Sequence, residues 1–110
     1  MVGILGNRAG EFVPREIAWL PDASKDVARL RNFLKSKNPL AAQRAAKRIL
    51  EGVLILQDNP GTGMPMEALI DYRDLRLNFG SGEYIIRYRE ESNRIVIVRV
   101  RHNKEENLRN

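Results

Sequence analysis

The chain has 110 residues, a formal net charge of +5 and no cysteine. That length suits one domain with a single core, and the missing thiols exclude a disulfide scaffold and a thiolate metal centre and fit a reducing compartment, so a cytoplasmic protein is expected. No run reaches the roughly 18 apolar residues of a membrane span, and the start Met1–Phe12 lacks the long apolar region of a signal peptide.

Residues 1–15 read as an extension outside the core, 16–104 as the domain and 105–110 as a polar tail. Glu16–Leu20 is a short extended run closed by Pro21, because proline disfavours helix in the residue before it. Asp22 or Ser24 can then cap a helix whose apolar stripe is Ala23, Val27, Leu30 and Leu34, ending near Lys37. Asn38-Pro39 restarts a helix: asparagine caps free amide groups, and proline at the first helical position loses no needed donor. Its stripe is Ala42, Ala46, Ile49, Val53 and Leu56. Gly52 inside it costs about 1 kcal/mol against alanine, which points to close helix packing. Asp58-Asn59-Pro60-Gly61 ends the element. So short a joint makes the two helices antiparallel neighbours.

The period then changes from helical to alternating. After the Gly61–Met66 segment, Tyr72–Phe79 places Leu75, Leu77 and Phe79 on one face and Arg76 and Asn78 on the other. Gly80-Ser81-Gly82 turns the chain into Glu83–Arg89, and Glu90–Asn93 turns it into Arg94–His102. Alternation in the last strand groups Val96, Val98 and Val100 against Ile95, Ile97, Arg99 and Arg101. The fold class is therefore α+β: a short first strand and an antiparallel helical hairpin packed on a C-terminal antiparallel meander.

Charge is unevenly spread. Lys25–Arg48 carries eight basic side chains against the single acid Asp26, a local excess of +7 that attracts polyanions or acidic protein segments. The strands carry Arg73, Arg76, Arg87, Arg89, Arg99 and Arg101, with His102 beside them. Guanidinium groups hold phosphate in a two-pronged geometry, and a histidine can exchange protons with a ribose hydroxyl, which are the parts of a metal-free ribonuclease. Strand arginines equally snorkel over a sheet or pair with acids, and Asp71, Asp74, Glu83 and Glu90 are at hand. One histidine and no cysteine leave no metal cluster, and Gly61-Thr62-Gly63 lacks the lysine and spacing of a phosphate loop. No cofactor or metal is expected.

Several short motifs, taken in order, resemble the RelE/ParE toxin superfamily of bacterial type II toxin–antitoxin systems. They are Ala18-Trp19-Leu20-Pro21-Asp22-Ala23, Asn38-Pro39-x-Ala41-Ala42 and Asn59-Pro60-Gly61-x-Gly63. The C-terminal half, with Arg73-x-Leu75, Asn78-Phe79-Gly80, Glu83-Tyr84-Ile85-Ile86, Tyr88 and Ile97-Val98-Arg99-Val100-Arg101-His102, looks like the ParE branch. The resemblance implies a cytoplasmic toxin neutralised by a cognate antitoxin, with a homodimer or a toxin–antitoxin heterotetramer as possible assemblies. A ParE-type toxin acts on DNA gyrase without being an enzyme. A RelE-type toxin instead cuts messenger RNA at the ribosome, and Arg73, Arg87 and His102 are the candidates for that chemistry. Arg73, Arg76, Arg87, Arg99 and Arg101 are the candidate contacts to target or antitoxin.

Overall fold

The computed structural model describes residues 14–105. Its elements are β1 (Glu16–Trp19), α1 (Pro21–Lys35), α2 (Pro39–Asp58), β2 (Met64–Pro65), β3 (Tyr72–Phe79), β4 (Gly82–Glu90) and β5 (Arg94–His102). One five-stranded sheet runs β1-β5-β4-β3-β2. The expected antiparallel meander is β3-β4-β5, and β1 joins β5 in parallel, Glu16 opposite Arg94 and Trp19 opposite Ile97. β2 is a two-residue addition on β3 that the Gly/Pro-rich segment does not announce.

Helix boundaries follow local chemistry. Pro21 is the first helical residue of α1, and Leu20 precedes it with no side-chain cap, so neither Asp22 nor Ser24 plays that part. Asn38 caps α2 as expected, its Oδ1 accepting from the amides of Leu40 and Ala41 at 3.1 and 3.2 Å. The apolar stripes of both helices face the sheet. Ala45 rather than Ala46 is the fully buried alanine of α2. Gly52 sits against Leu77, where even a methyl group would overlap the leucine side chain, which is the close approach its lone glycine suggested.

The core lies between this helical layer and one face of the sheet. It gathers Leu30, Ile49, Val53 and Leu56 with Leu75, Leu77, Tyr84, Ile86, Tyr88, Ile95, Ile97 and Val100. The last three expose an irregularity. Arg87 pairs with Arg99 but Tyr88 pairs with Ile97, so Val98 is an extra residue, a β-bulge. The bulge flips the alternation: Ile95 and Ile97 share the covered face with Val100, and Val96 joins Arg99 and Arg101 on the open one. Strict alternation groups these residues wrongly because it has no room for an inserted residue.

Contacts with the core reach one residue past each end of the span 16–104. Arg15, read as extension, exchanges backbone and side-chain hydrogen bonds with Gln57 and donates from Nε to the Glu91 carbonyl at 2.9 Å. Glu105, read as tail, binds the Arg29 guanidinium at 2.8 Å. Residues 1–13 and 106–110 lie outside the described residues. No described helix is long and apolar enough to cross a membrane.

Candidate functional site

β-Strands send successive side chains to opposite faces, so the sheet register decides which arginines can act together. On the open face, three strands line up Asp74, Arg87 and Arg99, and α1 supplies Asp26 beyond them. Arg87 grips Asp74 with two bonds of 2.9 and 3.1 Å. Arg99 grips Asp26 the same way, at 2.8 and 3.0 Å. Two arginines facing each other across neighbouring strands repel, and a carboxylate at each end of the row offsets that repulsion. Those carboxylates also raise both guanidinium pKa values above the ordinary arginine range.

A second row is Arg76, Ile85 and Arg101. Ile85 is buried on this arginine-rich face between the two arginines in register, whose aliphatic stems can cover it. Arg76 binds Glu83 at 3.0 Å. Arg89 binds Glu91 at 2.6 Å and reaches the Tyr72 hydroxyl at 3.3 Å.

Asp26 is the acid that the charge pattern alone does not connect to this face. It is 2% exposed, on the buried side of α1. Its carboxylate accepts from Arg99, from Arg29 at 2.6 Å and from the Val100 amide at 2.8 Å. β1 pairs β5 only as far as Ile97, so beyond that point Asp26 satisfies a strand-edge amide that has no neighbouring strand. Burial alone would push this carboxyl up, but hydrogen bonds from Arg99, Arg29 and Val100 outweigh it and hold the pKa below the usual value.

Arg73 is elsewhere. It pairs in register with Tyr88, on the helix-covered face, and its Nη1 donates to the carbonyls of Gly63 at 2.8 Å and Gly61 at 3.3 Å. Its Nε faces Glu90 at 3.4 Å. The Tyr88 hydroxyl clamps the same loop, donating to the Pro60 carbonyl at 2.6 Å and accepting from the Gly63 amide at 2.9 Å. Gly61-Thr62-Gly63 thus offers carbonyl oxygens to an arginine, the reverse of an anion cradle.

His102 is also on the covered face, at the opposite end of the sheet, in register with Tyr84. Its ring stands edge-on to Tyr84 with centroids 5.0 Å apart. Nδ1 accepts from the Lys104 amide at 3.2 Å, which assigns the proton to Nε2, facing the Phe79 carbonyl at 3.4 Å. A side chain at Gly82 would collide with this ring, so the glycine makes room for the histidine. The structure therefore does not bring Arg73, Arg87 and His102 together. Arg87 is on the other face, and Arg73 and His102 lie four β4 residues apart by register, about 13 Å along a strand.

The ParE toxin family model, described as the ParE toxin of the type II toxin–antitoxin system parDE, matches residues 17–107. The chain belongs to the ParE toxin family. It is 33% identical over 85 residues to Toxin RelE3 of Caulobacter vibrioides, covering 77% of this chain and 90% of that protein. A solved structure titled "Chromosomal ParDE TA system from P. aeruginosa" superposes with a TM-score of 0.68 at 25% identity, covering 80% of this chain and 95% of that one. The ParE family member described here is a type II toxin whose partner is an antitoxin. The α+β architecture agrees with that structural match. The names of the relatives include both ParE and RelE, so they leave the cellular target to the chemistry of the site.

Proposed function

We propose that this toxin arrests growth by binding DNA gyrase in the cytoplasm and not by cutting RNA. One observation carries the reading: the three side chains a ribonuclease of this type would need are split between two faces and two ends of the sheet. A general acid or base must come within hydrogen-bond reach of the proton it moves, and the phosphate it serves must be held by the same site. Arg73 spends its donors on loop carbonyls, and both ring nitrogens of His102 already face backbone partners. A binding role asks less of the geometry. Arg76, Arg87, Arg99 and Arg101 stand in two adjacent rows on one open face, where Asp74, Glu83 and Asp26 orient three of them as a patterned polar surface.

Gyrase supercoiling with purified toxin tests this. Inhibition with trapped, cleaved DNA is expected, and unchanged supercoiling at excess toxin would sink it. The name of the Caulobacter relative favours a second reading, a RelE-like ribonuclease acting at the ribosome. In that case His102→Gln abolishes toxicity with the fold intact and wild-type toxin cuts messenger RNA on arrested ribosomes. Full toxicity of the variant excludes it.

A further inference from the structure

At the end of the sheet that carries His102, an apolar pocket of about 520 Å³ opens between the C-terminal half of α1 and the β3–β4 turn. Leu30, Phe33 and Leu34 form its helical wall, and Phe79 and Tyr84 form its sheet side. Both walls are pre-built. Phe79 packs at a tilt against Tyr84 with centroids 5.1 Å apart, and Tyr84 is buried at 2% exposure with His102 wedged against it. The turn residues Gly80 and Ser81 leave the mouth open, Gly80 at φ 62° where an L side chain would be strained. Phe33 remains 46% exposed at the lip, an aromatic surface left to water in the free toxin.

The surroundings are basic. Arg29 and Lys104 line the pocket, and the Lys37 ammonium lies 4.8 Å from the centroid of the Phe33 ring. Glu105, the one acid in the lining, is already bound to Arg29. An apolar cavity of this size inside a cationic rim suits a large apolar side chain whose sequence neighbours are acidic.

We propose that this pocket is the anchor site for the antitoxin: a bulky apolar side chain inserts between Phe33 and Tyr84, and carboxylates flanking it meet Lys37 and Lys104. The inference rests on membership of a toxin–antitoxin family and is independent of the gyrase reading. Charge complementarity selects this occupant over a second copy of the toxin, because two copies would set one basic rim against another. A flexible acidic segment is steered by the hairpin's field and ordered on arrival, with the inserted side chain supplying most of the affinity.

The probe is the antitoxin encoded beside the toxin gene, titrated calorimetrically into purified toxin. Ser81→Trp closes the mouth from an exposed turn, and Phe33→Ala removes the lip from an exposed helix position, so neither should disturb the core; circular dichroism melts verify that. Each is expected to weaken binding by about tenfold or more, the scale of a lost buried anchor. Lys104→Glu should weaken it less and slow association most at low salt. Unchanged affinity in both Ser81→Trp and Phe33→Ala would overturn the proposal. So would a change in the toxin's own oligomeric state, by light scattering, with antitoxin affinity untouched. Supercoiling assays on the same free variants keep the two readings apart. Wild-type inhibition is expected of both variants, a variant that loses inhibition but keeps antitoxin affinity reassigns the pocket to the target, and a wild-type toxin without effect on gyrase leaves the binding result standing.

Discussion

The two faces of the sheet use the same strands to opposite ends. The covered face is mostly apolar from Ile95 to Leu77, closed by α1 and α2, with Arg73, Glu90 and the Tyr88 hydroxyl toward one end and His102 at the other. The open face carries the arginine rows, yet its cations are held by nearby acids: Arg87 by Asp74, Arg76 by Glu83, Arg89 by Glu91 and Arg99 by Asp26. The hairpin differs from both. Lys25, Arg31, Lys35, Arg44 and Lys47 form no ion pair among the described residues, so the +7 excess acts as an outward field. Stability sits on the covered face, geometric order on the open one, and attraction on the helices.

The sharpest way to break this contrast is to make the same substitution on both faces. Ile86 and Ile85 are neighbours in β4, both buried, pointing in opposite directions. Ile86→Ala empties a site walled by the helices and should cost about 3–4 kcal/mol in a urea melt. Asp26→Ala comes next, at about 2–3 kcal/mol, because it orphans the buried Val100 amide and releases Arg99 and Arg29 together. Arg99 is itself 52% exposed and can find water, which keeps the figure below that of a fully buried pair. Ile85→Ala should cost only about 1–2 kcal/mol, since flexible arginine stems can settle into the space. A loss equal to that of Ile86→Ala would show the open face to be packed as rigidly as the core.

Acid offers a further test of the Asp26 link. Its carboxyl is depressed in the folded protein, so the stability it contributes is fully present above the unfolded value of about 3.9 and disappears as the pH falls through the folded one. Wild-type protein should lose stability steeply below about pH 4, and Asp26→Ala should show a shallower acid limb in the same melts. The smallest effect expected is for Arg76→Ala, about 0.5 kcal/mol or less, because the Arg76–Glu83 pair is solvent-exposed and screened. Raising the salt concentration should erase even that difference.

Much of the fold was legible in the residue order because it depends on near neighbours. Asn38-Pro39 states a helix start through two local effects, a capping oxygen and a missing amide. Leu75, Leu77 and Phe79 announce a strand face by spacing alone, and the lone Gly52 marks where α2 meets Leu77. The candidate site was half legible. Arginines in alternating strands were visible as a concentration, but sorting them by face required the register, and Val98 shifts that register by one residue. Arg73 reads as an equal member of the set until the loop it serves is placed against it.

The sequence by itself determined the local periods, the hairpin and the sign of its charge, since side-chain spacing and capping act within a few residues. Only the tertiary structure decided that Asp26, seventy-three residues from Arg99, is its counter-ion, and that Arg73, Arg87 and His102 lie on two faces and at different ends of the sheet. It also placed Phe33 opposite Tyr84 across an open pocket. Those relations depend on which strand edge lacks a neighbour and on which face a bulge turns outward. Both are properties of chain segments meeting, and neither is written in any one of them.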